Sequence, residues 1–149
     1  MRSARVNKIS EVEREPARTV VVFGPDWTQW VEGILREGEA FVIEYHSARM
    51  PDCRITYRGS DWWMGAHVRF HPASDVVTTR LQPRVRATAE SPNPIVNCEL
   101  TIPSGTTRLE MWFENTDYSG CQAWDSRYGQ NYVFDAEALK AMKVRKALT

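Results

Sequence analysis

Several features are scarce in this 149-residue sequence, and each scarcity narrows what the chain can be. Charge of one sign is missing. The 19 Lys and Arg meet 19 Asp and Glu, a formal net charge of zero, so no global field gathers a polyanion and nucleic acid is not an expected partner. Long apolar runs are missing too: a bilayer-crossing helix needs roughly 18 to 20 apolar residues, whereas the longest apolar run near the start is Val20-Val21-Val22-Phe23. No membrane partner is expected. The basic start Met1-Arg2-Ser3-Ala4-Arg5 is followed by charged residues where a secretory signal carries its apolar segment, which leads to the expectation of a cytoplasmic protein. Cys53, Cys98 and Cys121 are the only cysteines and show neither CxxC nor Cys/His ligand spacing, so no structural zinc site is expected. They leave either three thiols or one disulfide with an odd cysteine. There is no GxxxxGKS or GxxxxGKT phosphate loop, no GxGxxG, no HExxH and no GxSxG elbow, so nucleotide-driven, zinc-protease and α/β-hydrolase chemistry is disfavoured and no cofactor is expected. A nucleophilic triad stays open, because its members can lie far apart in sequence.

What the chain has in plenty is aromatic surface: six Trp, five Tyr and five Phe, flat faces that build a core or stack on a ligand. Hydrophobic residues at 42% and charged residues at 26% match a globular domain rather than a disordered, collagen-like or coiled-coil chain. The length suits a single domain. Residues 1–17 are charged and poor in large apolar side chains, the composition of a flexible arm. From Arg18 onward the pattern has period two. Cys53, Ile55 and Tyr57; Ala66, Val68 and Phe70; Val96, Cys98, Leu100 and Ile102; and Leu109, Met111 and Phe113 alternate with polar neighbours and predict four strands with one buried face. Thr19 to Phe23, Glu39 to Tyr45, Val76 to Arg80, Val85 to Thr88 and Asn131 to Phe134 read as further strands, separated by turn signals such as Gly24-Pro25-Asp26, Met50-Pro51-Asp52 and Ser126-Arg127-Tyr128-Gly129. About eight or nine short strands without long intervening helices predict an all-β, antiparallel sandwich or barrel. The C-terminus departs from this pattern: Asp135 can cap a helix over Ala136 to Met142, with Lys143, Arg145 and Lys146 suited to its negative end. The expected organisation is an arm over 1–17, a β-sandwich over 18–134 and a short helix with a tail over 135–149.

Candidate chemistry concentrates between Met111 and Phe134, where aromatics, amides and carboxylates share one strand-loop-strand segment. With Leu109, Met111 and Phe113 facing inward, Trp112 faces outward beside Arg108, Glu110 and Glu114. Such a face suits a sugar or base, whose apolar side covers the ring while neighbouring polar groups bond its edge; the bland alternative is that other parts of the chain cover Trp112. Asp61-Trp62-Trp63-Met64 places two Trp in succession, so one should point in and the other out, and either can edge a cleft. Asp117, Asp125 and Glu114 lie near aromatics that would desolvate one of a catalytic pair. In a turn, however, Asp125 more often bonds the backbone two residues on. His67, Arg69 and His71 share one strand face and, with Arg54 and Arg58, make either an anion-binding patch or an ordinary solvated face. Cys98 falls on an apolar face and reads as core. Cys53 and Cys121 sit at strand-loop junctions and read as a disulfide, as two inert thiols, or as a reactive thiol whose thiolate Arg49 or Arg54 would favour.

Trp124-Asp125-Ser126-Arg127-Tyr128-Gly129-Gln130-Asn131-Tyr132-Val133-Phe134 resembles the Trp-Asp-Asn-Asn-x-Gly-x-Asn-Tyr signature near the C-terminal end of starch- and glycogen-binding carbohydrate-binding modules. The resemblance implies an immunoglobulin-like, carbohydrate-binding-module-like antiparallel sandwich, with Trp124 and Asp125 closing one strand, Gly129 allowing the turn, and Asn131 and Tyr132 opening the next near the glycan. Ser126 and Arg127 stand where those modules carry two Asn, which removes amides that contact sugar. Across more of the chain, Pro25-Asp26-Trp27-Thr28-Gln29, Tyr45 with Arg49-Met50-Pro51-Asp52-Cys53-Arg54, Trp112-Phe113 with Gly120-Cys121, and Asp125-Ser126 with Gly129-Gln130-Asn131-Tyr132 resemble an uncharacterised bacterial domain family of the same sandwich type. That resemblance implies a fold and no activity.

The leading expectation is a non-catalytic module binding a carbohydrate or another small polar-aromatic ligand. In it Trp112, Trp62 or Trp63 stacks on the ligand, and Asp125, Arg127, Asn131, Tyr132 and Arg54 supply polar contacts, while Trp124 acts through the fold. One alternative is a small hydrolase or isomerase with Cys53 or Cys121 as nucleophile or proton carrier and Asp125 or Glu114 as base. Another is a protein-interaction or homodimerisation domain anchored by the same exposed aromatics.

Overall fold

A computed structural model describes residues 18–58, 62–83 and 93–138. Among them run ten strands: β1 (Val20–Phe23), β2 (Gln29–Glu32), β3 (Ala40–His46), β4 (Trp63–His71), β5 (Val76–Arg80), β6 (Gln82–Pro83), β7 (Ile95–Thr101), β8 (Arg108–Thr116), β9 (Gln122–Asp125) and β10 (Tyr132–Asp135). A 3-10 turn, Ser47–Arg49, follows β3. One sheet has the order β2-β1-β3-β7-β6, and the other has the order β10-β8-β4-β5 with β9 also paired to β8. The fold is therefore an all-β sandwich. Its strand pairs are antiparallel except for β1 and β3, which pair in parallel with Val20 opposite Val42 and Phe23 opposite Tyr45.

Alternation explains the packing. Phe41, Ile43 and Tyr45 on β3, Met64, Ala66, Val68 and Phe70 on β4, and Leu109, Met111 and Phe113 on β8 are all buried, and the two sheets close on them as one core. Each large apolar side chain of this kind contributes about 1.5–3 kcal/mol when fully buried. Cys98 belongs to this core as the pattern predicts, and burial pushes its thiol up to about 12, where it is protonated at neutral pH.

Two expectations need correction. The segment from Cys53 to Tyr57 is irregular apart from a bridge at Tyr57, with Ile55 and Tyr57 exposed and only Cys53 buried. Period two arises there by coincidence, because the segment is held by side chains instead of a ladder: Asn115 Nδ2 donates to the carbonyls of Asp52 (2.6 Å) and Cys53 (2.9 Å), and the Ile55 amide donates to Asp117 (2.9 Å). Asp135 caps no helix but closes β10 opposite Arg108, and Glu137 forms a parallel bridge to Arg36. Of the expected helix, residues 136–138 are non-helical and 139–149 lie outside the described residues, as does the expected strand from Val85 to Thr88. The short strands β2, β6 and β9 escape the pattern because two to four residues carry too little periodicity.

Cys53 and Cys121 are joined in a disulfide across 68 residues of sequence. It ties the segment after β3 to the turn that feeds β9. Closing a loop of that length stabilises a fold by about 4 kcal/mol in the chain-entropy model. The Cys121→Ser variant should therefore lose about 2–5 kcal/mol in urea denaturation, and alkylation of the unfolded, unreduced wild type should label Cys98 alone. Labelling of all three cysteines would mean that the bond does not form.

Candidate functional site

The register of β8 creates the site. Its Met111 faces Tyr132 of β10 and its Phe113 faces Asp125 of β9, so two strands lie end to end along one edge of β8. Residues 126–131 have no room in the ladder between them and loop outward. Arg127, Tyr128, Gly129 and Asn131 in that loop have φ of 51°, 56°, 84° and 62°. Glycine takes such left-handed angles freely and Asn tolerates them, whereas other residues lose about 1–2 kcal/mol each. The loop is held by hydrogen bonds from the Asn131 amide to the Ser126 carbonyl (2.7 Å), the Gln130 amide to the Arg127 carbonyl (3.1 Å) and the Gly129 amide to Ser126 Oγ (3.1 Å).

Asp125 and Tyr132, at the two feet of this loop, both point inward. Tyr132 donates its hydroxyl to Asp125 Oδ1 (2.5 Å), while Tyr45 (2.6 Å) and Arg49 Nε (2.9 Å) donate to Oδ2. The remaining guanidinium donors reach the carbonyls of Gly24 (2.9 Å) and Thr28 (3.1 Å) and the Tyr132 hydroxyl (2.9 Å). The pair is dry, with side chains 0% and 1% exposed. Burial alone would lower the Arg49 pKa, but the adjacent Asp125 carboxylate raises it, and the guanidinium stays charged. Burial and the same carboxylate raise both tyrosines, Tyr132 to about 12 and Tyr45 further still. Beneath this network Phe23, Tyr45 and Phe113 pack ring on ring, with centroids 4.6 Å apart for Phe23–Phe113 and 4.5 Å for Tyr45–Phe113.

Above the network opens a cavity of about 480 Å³, lined by Trp27, Gln29, Trp124, Asp125, Ser126, Arg127, Tyr128 and Tyr132. Trp27 stands in the turn between β1 and β2 at φ 66°, its ring 4.7 Å from the Arg49 guanidinium, so the buried cation supports the wall by cation–π attraction. Trp27 is 58% and Trp124 52% exposed, and Tyr128 is fully exposed.

Of the ligand contacts expected from sequence, Asp125, Arg127 and Tyr132 meet at this cavity, joined by Trp124, whose expected role is through the fold; Trp112, Trp62, Trp63, Asn131 and Arg54 do not line it. Trp112 does face outward, but its half-buried ring stacks on His67 (5.6 Å, 17°) with Arg69 at 5.5 Å. Trp112 is half-covered by neighbours on its own sheet, whereas Trp124, whose ring also lies near His67 (5.9 Å), stays 52% exposed and lines the cavity. Asn131 turns to the outer sheet face and donates to Glu110 (2.6 Å). Trp62 packs on the core and under Arg54 (4.3 Å), and Trp63 starts β4, its ring lying over Gly65 where a side chain would collide with it. Arg54 ties Asn93 and the carbonyls of Ser47 and Met50 instead of facing a ligand.

Nor does the anion patch form. His67 hydrogen-bonds Glu114 (2.7 Å), and His71 (2.7 Å) and Arg69 (3.0 Å) bond Glu110, so these groups of the outer face of the second sheet are engaged with one another. Despite the burial it suffers, Glu110 is held below its ordinary pKa by hydrogen bonds from Asn131, His71 and Arg69. The catalytic set is likewise dispersed. Cys53 and Cys121 are bonded to each other, and Glu114, opposite Trp124, faces outward while Asp125, opposite Phe113, faces inward. The turn carboxylate that bonds the backbone two residues on is Asp117, to the Ser119 amide (2.8 Å), and not Asp125. No group of three or more His, Cys, Asp or Glu among the described residues is arranged to hold a metal ion.

Removing one partner of the buried pair strands the other charge, so Arg49→Met and Asp125→Asn should each cost about 3–5 kcal/mol in urea denaturation. The double variant should recover a large part of that loss; additive losses would show that the two do not act as a pair. A second expectation concerns pH. Tyr45 and Tyr132 titrate near pH 10 when unfolded and hold their protons to higher pH when folded. The native state thus binds more protons in that window, so their contribution to stability is complete below about pH 10 and declines as pH rises toward 12. Ultraviolet titration should show two of the five tyrosines ionising well above pH 10; a single ionisation of all five together would contradict the network.

No curated protein and no solved structure matches this chain. A family model does match, over residues 5–137, a span that contains every strand of both sheets. The chain is a member of the family described as Family of unknown function (DUF6209).

Proposed function

We propose that this protein is a non-catalytic ligand-binding sandwich that holds a saccharide in the cavity between Trp27, Trp124 and Tyr128. The observation that carries the reading is the exposure of two tryptophans at a cavity whose floor is the hydrogen-bonded Asp125 and Tyr132. Large aromatic rings left in water forgo about 1.5–3 kcal/mol of burial each unless something covers them. A pyranose ring supplies that cover through its C–H face, while Gln29, Ser126 and Arg127 are placed for its hydroxyls. The similarity of the segment from Trp124 to Phe134 to glycan-binding modules supports the same reading, since much of the cavity is built from that segment. The aromatic and backbone arrangement equally suits another small polar-aromatic ligand of similar size. The disulfide supports work in an oxidising compartment, where such bonds persist, over the cytoplasmic setting suggested by the charged first residues. Among the described residues no helix is long and apolar enough to cross a membrane.

A thiol enzyme is not favoured, because both junction cysteines are consumed by the disulfide and the remaining one is buried with a raised pKa. Affinity electrophoresis through gels containing soluble α- and β-glucans and acidic polysaccharides tests the binding reading. Trp124→Ala and Trp27→Ala should each reduce retardation by about 30-fold or more in apparent affinity, the loss of about 2 kcal/mol typical of a central aromatic anchor. Trp112→Ala should matter far less, since its ring does not line the cavity. Equal effects of all three, or no retardation in any gel, would sink the assignment of this cavity.

A further inference from the structure

The charge left at the cavity deepens the reading above and rests on it. We propose that the saccharide is acidic, a sugar ring bearing an anionic substituent, with Arg127 as the group that holds the anion. Among the described residues three charged side chains lie in or directly behind the cavity: Asp125, Arg49 and Arg127. The first two cancel. Asp125 accepts from Arg49, Tyr45 and Tyr132, is almost wholly buried, and offers no free carboxylate to a ligand hydroxyl or cation. Asp26, on the neighbouring turn, is held by Thr28 (2.6 Å) and does not line the cavity. Arg127 is exposed and has no side-chain hydrogen bond or ion pair among the described residues, while Gln29 and Ser126 are neutral. The accessible lining therefore carries a net positive charge and an unengaged guanidinium fork, whose planar donors match a carboxylate or sulfate.

The backbone points the same way. Arg127 and Tyr128 occupy left-handed angles of 51° and 56° that glycine or asparagine would adopt at lower cost, as Gly129 and Asn131 do in the same loop. Strain of that kind is held in place by its surroundings and clusters at ligand sites. Tyr128 supplies a ring face, and Arg127 beside it supplies the charge. A neutral glucan would use the rings and leave the cation idle; an anionic sugar uses both. A cationic ligand is opposed by Arg127, and a nucleic acid, needing several phosphate contacts, finds one free cation among the described residues of the cavity.

Isothermal titration of the whole protein with maltohexaose, an oligogalacturonate and a sulfated dextran fragment tests this and separates carboxylate from sulfate. The wild type should bind at least one acidic ligand about tenfold more tightly than the neutral one, the scale of a charge-assisted hydrogen bond. Arg127→Gln should bring the ratio of acidic to neutral affinity close to one, whereas Arg80→Gln, which removes an exposed cation from β5, should leave that ratio where it was. Thermal melts and the intact disulfide establish that each variant is folded. Equal affinity for acidic and neutral saccharides, with no response of the ratio to Arg127→Gln, would overturn the acidic ligand while leaving saccharide binding in place. Binding of no saccharide would overturn both, and so would single-stranded DNA binding in their stead.

Discussion

Two opposite charges buried side by side, Arg49 and Asp125, constrain every element that builds the cavity. The guanidinium comes from the 3-10 turn after β3, the carboxylate from the end of β9, and their further partners from β3, from the turn between β1 and β2 and from β10. Desolvating two ions costs several kcal/mol apiece, and the pair persists because nearly every donor and acceptor is met. That requirement is geometric: Gly24, Thr28, Tyr45 and Tyr132 must sit where the ions need them. Two loops from the first sheet and two strands of the second are thereby held at fixed distances. The cation then reaches one layer further, supporting the Trp27 ring from below.

The second constraint is the shared edge of β8. A continuous strand opposite Met111 and Phe113 would make a flat edge with nothing to offer a ligand. Splitting it into β9 and β10 lets the residues between them leave the ladder, and the inward Asp125 and Tyr132 at either foot anchor that loop to the ion pair. The disulfide acts on the same assembly. Cys121 immediately precedes β9 and Cys53 follows closely on the segment that carries Arg49, so one covalent bond limits the separation of the pair's two supports. Rigid floor, strained rim and exposed rings thus come from one set of contacts.

Much of the fold is legible in the order of the amino acids, and the reason is local. In β3, β4, β7 and β8 an alternation of large apolar and polar side chains runs for seven to nine residues, and a half-buried strand is the element that uses such a pattern. The segment from Cys53 to Tyr57 shows the limit of the argument. It alternates equally well, yet its backbone is satisfied by Asn115 and Asp117, about sixty residues away, and needs no neighbouring strand. Trp112 and Trp124 show the limit at the site. Alternation puts Trp112 on the outer face, where it stands, but whether an outward ring is free depends on the next strand, and His67 on β4 lies directly opposite it.

What the amino-acid sequence determined by itself is therefore the architecture: an all-β sandwich, its inward faces, Cys98 in its core, and a segment from Trp124 to Tyr132 rich in aromatic and polar side chains. These follow from periodicity and composition, which are properties of neighbouring residues. Only the tertiary structure decided that Cys53 meets Cys121, that Glu114 and Asp125 face opposite sides of a sheet, and that Trp27 and Trp124 line one cavity with Arg127 unengaged beside them. Those facts depend on strand register and on the burial of one ion pair, which join residues up to about eighty positions apart and leave no trace in local pattern.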